Sequence, residues 1–301
     1  MKSFRLRHKL ISFVNDFDIR GIRKIAFYLP KLLIPKPKQS IIMTTLYGFK
    51  LKIDPVKDKG VELSIYNSGT YEKGTLFIIG SILKKGDTFL DIGANIGLMS
   101  IFTSKVVGPN GKIIAFEPNP ETRKILLENI QLNNISTIEV SPYAIGSKRE
   151  TGKIYDRWDS NRGSASIVPS NQNTGEGYDI EIISLKEYPF ESNKVDLIKI
   201  DVEGFELEVL KGSADILSSL HPPMLIVECS SNRENTFGED ITALYNFIQQ
   251  MNNYRFFKSK GTKERISKLI EIKLAENLPI HDNIYCFTNE HLKTIPKNLF
   301  K

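Results

Sequence analysis

Cysteine is scarce: Cys229 and Cys286 are the only two in 301 residues. Two thiols exclude a disulfide-built scaffold and a four-cysteine zinc site. A reducing compartment is the easier reading, and cytoplasmic residence is expected. Long apolar runs are also missing, since no stretch approaches the roughly 18 residues of a membrane-spanning helix. Arg20, Arg23 and Lys24 interrupt any apolar segment near the start, so the head does not read as a signal peptide. No internal repeat is visible. With 41% hydrophobic and 25% charged residues, disordered, collagen-like and low-complexity classes are excluded. The length suits one large domain with appendages and a core that needs no staples.

Charge is present but uneven. Residues 1–38 hold ten lysines and arginines against Asp16 and Asp18, a net +8, so residues 39–301 carry −2 of the chain's +6. A nucleic-acid enzyme more often spreads positive charge around its active site. Nucleic acid is therefore not the expected partner. Residues 4–33 read as an amphipathic helix with a basic face. It either packs on the body or docks on a membrane surface or a partner. Peripheral contact with the inner face of a membrane through residues 1–38 is the sharper of these expectations. "PKPKQ" ends the helix as a linker, and "SIIMTTLYGFKLKIDP" reads as a hairpin with a Tyr-Gly turn.

From residue 75 helices alternate with short apolar strands: "TFLDIG", "KIIAFEP", "STIEVSPYAIG", "VDLIKIDVEG", "PPMLIVECS", "YRFFKSK" and "DNIYCFTN". "NPETRKILLENIQLNN" is a helix with Asn119 as its cap and Pro120 in its first turn. "FELEVLKGSADILSS" is read as one helix. The alternation predicts an α/β fold, a mostly parallel sheet with helices on both faces. The expected organisation is a basic helix and linker (1–39), a hairpin lead-in (40–74), a catalytic domain (75–290) with an insertion at 147–190, and a tail (291–301).

The chemistry concentrates at strand ends. In "DTFLDIGANIG" a strand ends at Asp91, a glycine turn follows, and a helix begins. Ligands of open α/β sheets bind outside such ends. The form is D-x-G-x-x-x-G. A dinucleotide fingerprint needs glycine in the middle, where Asn95 stands. Glu117 follows Gly97 by 20 residues, at the end of the next strand, where a carboxylate can accept hydrogen bonds from ribose hydroxyls. Asp91 suits a ligand with a cationic amino-acid end. Together these favour S-adenosylmethionine over NAD. Asp201 and Glu203, in "IKIDVEGFELEVL", end another strand and face the same crevice, and Glu228 ends the next. Capping of the following helix is the plainer role for Asp201.

These residues carry a resemblance. "GDTFLDIGANIGLMS", "IIAFEPNPETRKILLENIQLNN", "SPYAIGS", "NRGSASIV", "IEIISLKEY", "LIKIDVEGFELEVLKG" and "MLIVEC" resemble, in order and spacing, the FkbM family of S-adenosylmethionine-dependent methyltransferases. "YNSGTYEKG" resembles the family's lead-in, with Tyr71 and Glu72 at matching places. The likeness covers about residues 60–230. It implies a Rossmann-like sheet of seven strands with the last antiparallel. It implies that Asp91, Gly93, Ala94, Asn95 and Gly97 surround the methionine part of the cofactor and that Glu117 holds the ribose. Pro118, Asn119 and the Tyr143–Ala144 segment would border the adenine, and Glu72 joins the cofactor-binding set. The family commonly methylates hydroxyl oxygens of sugars, macrolides and related small molecules. An O-methyltransferase acting on a small-molecule or glycan hydroxyl is the expected function.

An alcohol acceptor must lose its proton as the new bond forms. Asp201 and Glu203 are the first candidates for base or acceptor anchor, with Glu228 third. Their carboxylates could also gather around Mg²⁺, but no metal ligand set is assigned. Among the histidines, His8 lies in the basic head, His221 precedes its strand, and His291 is near the end. His281, with Asp282, would begin the last strand at the ligand edge, although a surface turn is the plainer reading. Glu203 rather than His281 is therefore expected to be essential. Arg157, Trp158, Asn161 and Arg162 form either a sugar-stacking lid or an ordinary loop. Three other classes stand beside the leading one: an RNA or nucleotide methyltransferase, suggested by the basic head; an NAD-linked oxidoreductase, disfavoured by Asn95; and a non-catalytic docking protein that keeps the fold.

Overall fold

A computed structural model describes residues 2–16, 28–156, 165–167, 174–190, 194–229 and 241–301. Arg157, Trp158, Asn161 and Arg162 fall outside the described residues. The chain opens with α1 (Lys2–Asn15) and α2 (28–33), so the described part of the predicted head helix consists of two pieces. The hairpin follows as β1 (Ile41–Thr44) and β2 (Lys50–Ile53). Two helices, α3 (Val61–Ser68) and α4 (Lys73–Ile82), lead into the main sheet. Its first half alternates β3 (Thr88–Ile92), α5 (Leu98–Val107), β4 (Lys112–Phe116), α6 (Pro120–Leu132) and β5 (Ile138–Ser141).

The insertion forms a sheet of its own from β6 (Ala144–Ile145), β7 (Glu150–Asp156) and β8 (Thr174–Ile183). The segment "STIEVSPYAIG" divides here. Pro142 has no N–H to give a ladder, and the strand stops at Ser141 before β6 joins the second sheet. The main sheet resumes with β9 (Leu197–Ile200), α7 (Glu206–Gly212), α8 (Ala214–Leu217), β10 (Met224–Cys229), α9 (Ile241–Met251), β11 (Arg255–Ser259), β12 (Leu269–Ile272), β13 (Asp282–Phe287) and α10 (Asn289–Thr294). The single helix expected over 205–219 is broken at Ser213, whose hydroxyl donates back to the Val209 carbonyl at 2.6 Å. Such a bond competes with the helical ladder.

The strand order is β12-β11-β13-β10-β9-β3-β4-β5. Strands β10, β9, β3, β4 and β5 run parallel, and β13 is antiparallel to both β10 and β11. The antiparallel last strand is as the resemblance implied, but among the described residues the sheet has eight strands rather than seven. The extra one is β12, a four-residue edge strand antiparallel to β11. Every residue of β3, β9 and β10 is buried. Central parallel strands are covered on both faces, which is why they read as unbroken apolar runs. Alternate residues serve opposite layers. Phe89, Ile113, Leu197 and Ile226 join the core beneath α4, α5 and the hairpin, while Leu90, Ile114, Ile198 and Leu225 join the core beneath α7, α9 and the insertion. The hairpin is fastened to α6: Lys52 N donates to Asn129 Oδ1 at 2.7 Å and Lys50 N to Asn133 Oδ1 at 2.8 Å. The carboxyl ends of β3, β4, β9 and β10 therefore open together beside the start of β13.

Candidate active site

The turn after β3 is built for close approach. Gly93 has φ +85°, and a Cβ there would sit 1.9 Å from the Asp201 carbonyl oxygen. Only glycine lets the turns after β3 and β9 touch in this way. Gly93 N and Ala94 N both donate to Phe116 O at 3.0 Å, which ties the same turn to the end of β4. Asn95 follows with φ +50°. Its N–H donates to Glu117 Oε2 at 2.8 Å, and Asn119 N donates to Oε1 at 3.0 Å. Each Glu117 oxygen thus keeps a lone pair for a further donor. Burial pushes the Glu117 carboxyl up to about 7, against the pull of those two N–H groups.

Asp91 is fully enclosed at the end of β3. Ser100 of α5 donates to its Oδ2 at 2.5 Å, while Oδ1 is buried with no hydrogen-bond partner among the described residues. Burial raises this carboxyl above its ordinary value, although Lys199 opposes the shift.

Two lysines organise the acids beyond it. Lys199, in the otherwise apolar β9, places Nζ 2.7 Å from Asp201 Oδ2. Lys263, between β11 and β12, places Nζ 2.5 Å from Glu228 Oε1 and 2.8 Å from Glu72 Oε1. Burial alone would lower Lys263, yet Glu72, Asp201 and Glu228 hold it above the usual lysine range. Burial alone would raise Asp201, but Lys199 and Lys263 keep it well below the ordinary carboxylate range. Glu228 goes the other way, pushed up by burial and then by the charge on Asp201. Two neighbouring carboxyls driven apart in this manner are suited to different roles.

Carboxylate oxygens of Asp201, Glu203 and Glu228 lie within 4.8 Å of one another, close enough to share a divalent cation. Lys199 and Lys263 already bring positive charge to this corner. Glu203 is half-buried, and its backbone has φ +54°. Glu72, Asn95 and Glu203 are all non-glycine residues with positive φ, and all three line one cleft. Strain of this kind persists only where the surroundings enforce it.

That cleft is partly enclosed and partly open to solvent. Asp91, Gly93, Ala94, Asn95, Glu117, Pro118 and Ala144 line it, as do Glu72, Asp201, Glu203 and Glu228. The structure thus brings most of the expected site residues together. Two stand apart from the lining. Gly97 heads α5 against Leu126, where a Cβ would lie 2.4 Å from Cδ1. Asn119 caps α6, its Oδ1 accepting from Glu121 N and Thr122 N. Glu72 faces the cleft but is already held by Lys263 and by Asn283 Nδ2 at 3.2 Å. His281 is an exposed turn residue whose N–H donates to Cys229 O at 2.8 Å, and it does not line the cleft.

Sequence reasoning missed both lysines. Lys199 had a signal, a charge inside the apolar run "LIKI". Lys263 had none. Its place is set by Asp282 Oδ1, which accepts from Lys263 N at 2.9 Å, and by the Lys263 carbonyl, which accepts from Gly74 N at 2.8 Å. A Cβ on Gly74 would lie 2.3 Å from the Arg265 carbonyl oxygen, so this approach also depends on glycine.

Residues 91–256, more than half of the chain, match the family model described as the methyltransferase FkbM domain. The chain belongs to the FkbM methyltransferase family. The matched span begins at Asp91 and takes in both cleft-forming turns and the insertion. Methyltransferase sdnD of Sordaria araneosa is 30% identical over 154 residues, covering 41% of this chain and 59% of that protein. Hexuronic acid methyltransferase AglP of Haloferax volcanii is 30% identical over 155 residues, covering 48% of this chain and 56% of that protein. The FkbM chain thus spans less than two thirds of the length of these relatives. Among solved structures, a SAM-dependent O-methyltransferase from Thermotoga maritima aligns over 84% of this chain and 94% of its own, with 12% identity and a TM-score of 0.41.

Proposed function

We propose that this FkbM protein is an S-adenosylmethionine-dependent O-methyltransferase whose acceptor is a hydroxyl of a small molecule or glycan. The observation that carries the proposal is the pairing, in one cleft, of a cofactor-type half with an acid–base half. In the first half, the buried and unpartnered Oδ1 of Asp91 fits the amino group of the methionine part. Glu117 keeps acceptor capacity for two ribose hydroxyls, and Pro118, Tyr143, Ala144 and Ile145 offer an apolar wall for a base. When bound, S-adenosylmethionine supplies an activated methyl group.

The chain's own residues orient the acceptor and handle its proton. Much of the rate of an in-line displacement comes from such alignment. With the methyl group so supplied, the proton of the acceptor hydroxyl would pass to a carboxylate of the protein. Asp201 is made a weak base by its two lysines, and Glu228 already shares Lys263 with Glu72. Glu203, on the same cleft and close to both, is the carboxylate proposed to take the proton, with Asp201 and Glu228 anchoring the acceptor.

The relative named for a hexuronic acid supports a glycan acceptor and makes sugar acids the first to try. The test is release of S-adenosylhomocysteine from S-adenosylmethionine across a panel of uronic acids, neutral sugars and short RNA. Turnover with a sugar supports the proposal. Turnover with RNA alone contradicts it.

A further inference from the structure

Glu203 sits in left-handed backbone, and Gly204 follows it there with φ +103°. A residue with a Cβ is disfavoured in that conformation, so the turn has to be held. Its start is held by Asp201 N, which donates to Ile92 O at 3.0 Å. Its far end is held at a single peptide group. The Glu203 carbonyl accepts from Ser166 Oγ at 2.8 Å. The N–H of the same peptide, Gly204 N, donates to Glu206 at 3.0 Å to Oε1 and 3.1 Å to Oε2. With a partner on each polar atom, that peptide plane has one preferred orientation. The plane in turn sets ψ of Glu203 and φ of Gly204.

Both partners are themselves fixed. Ser166 is buried, and its backbone exchanges two hydrogen bonds with Tyr155 of β7, each 2.9 Å. Glu206 opens α7 and is buried too. Neither residue lines the cleft, but Ala165 and Ile167, on either side of Ser166, line it together with Glu203. The short segment 165–167 of the insertion therefore supplies part of the cleft wall and reaches the turn after β9, 37 positions away in the chain.

We propose that Ser166 and Glu206 are positioning residues for Glu203: they clamp the Glu203–Gly204 peptide and so keep the Glu203 carboxylate directed at the acceptor hydroxyl. The proposal rests on the reading of Glu203 as the carboxylate that takes the proton. Ser166 and Glu206 act on it through the main chain and not on the acceptor. A purely structural role for them would cost stability and leave the rate per folded molecule unchanged. A positioning role lowers kcat while affinity for S-adenosylmethionine is kept, because the cofactor half of the cleft is built by the turn after β3 and by Glu117.

The test compares the full chain with Ser166→Ala, Glu206→Ala and Glu206→Gln by two readouts. The first needs no acceptor. Amide hydrogen exchange at Gly204 is expected to quicken about tenfold in Ser166→Ala, the scale of one lost hydrogen bond. The second is steady-state kinetics with the sugar turned over fastest in the panel above. Ser166→Ala is expected to lower kcat by about tenfold or more at unchanged KM for S-adenosylmethionine, since small misalignments are costly. Glu206→Ala loosens the same peptide from its other side and is expected to do likewise, so the comparison does not depend on how well Ser166→Ala folds. Glu206→Gln keeps an acceptor for Gly204 N–H and is expected to recover most of the rate that Glu206→Ala loses. Added to Glu203→Gln, Ser166→Ala should lower kcat no further, because both act through one carboxylate.

Unchanged exchange at Gly204, unchanged kcat in Ser166→Ala and Glu206→Ala, or a further loss on top of Glu203→Gln would overturn the proposal and leave the reading of Glu203 standing. Near-normal turnover by Glu203→Gln alone would remove that reading, and the proposal with it.

Discussion

Lys263 Nζ stands 2.5 Å from Glu228 Oε1, joining the loop after β11 to the end of β10. The same ammonium reaches Glu72 at the head of α4, so one cation fastens three segments around the cleft. The side chains of Lys263, Glu72 and Glu228 are only 13%, 1% and 9% exposed. Removing the cation leaves buried carboxylates without a counter-charge. Lys263→Met is expected to lower stability by about 3 kcal/mol, the usual scale for breaking one side of a buried pair. Adding Glu72→Gln should recover part of that loss. Thermal unfolding of the single and double variants checks both statements.

Glu203 lines the cleft and His281 does not. Glu203→Gln is expected to reduce turnover by about 10²–10⁴, the range of general-base contributions, while His281→Ala stays near the parent rate. Steady-state kinetics of the two variants, with an acceptor found by the panel above, decides between them. Near-normal turnover by Glu203→Gln would move the base elsewhere.

If Glu117 holds the ribose as proposed, it gives the cofactor step a pH dependence. Burial pushes its carboxyl up to about 7, so it gains a proton as pH falls through that value. Only the ionised form keeps acceptor sites open on both oxygens for ribose hydroxyls. Affinity for S-adenosylmethionine is therefore expected to weaken as pH drops below about 7 and to level off above it. Calorimetric titration at several pH values reads this directly, and Glu117→Gln should flatten the profile.

Gly93 carries the closest approach in the site. Its positive φ and the 1.9 Å approach of the Asp201 carbonyl leave no room for a methyl group. Gly93→Ala is expected to cost about 2–4 kcal/mol, at the severe end for a point substitution. Cofactor binding should weaken with it, because the turn also carries Asn95, which donates to Glu117. Parallel unfolding and binding measurements test the two effects together.

Much of this architecture was legible because burial on both faces writes itself into composition. The runs "TFLDI", "LIKI" and "MLIVEC" became central strands, and Asn119 became the cap it looked like. Elements governed by distant partners were less readable. The edge strand β12 exists because β11 offers it a ladder, and four residues of "LIEI" carry little signal alone. The break at Ser213 depends on a local hydroxyl bond that competes with helix. In the site, the acids at strand ends were visible because the fold sends strand ends to ligands. Lys263 was not, since its loop has no periodicity and its position is fixed by Asp282 and Gly74 from elsewhere in the chain.

The most direct measurement is calorimetric titration of the parent and of Glu117→Ala with S-adenosylmethionine and, separately, with NAD. Saturable binding of S-adenosylmethionine at micromolar concentrations, about 8 kcal/mol of binding free energy, is expected for the parent. It should be lost in the variant, and NAD should produce no signal. Absence of S-adenosylmethionine binding by the folded parent, or equal binding by Glu117→Ala, would contradict the assignment of this cleft.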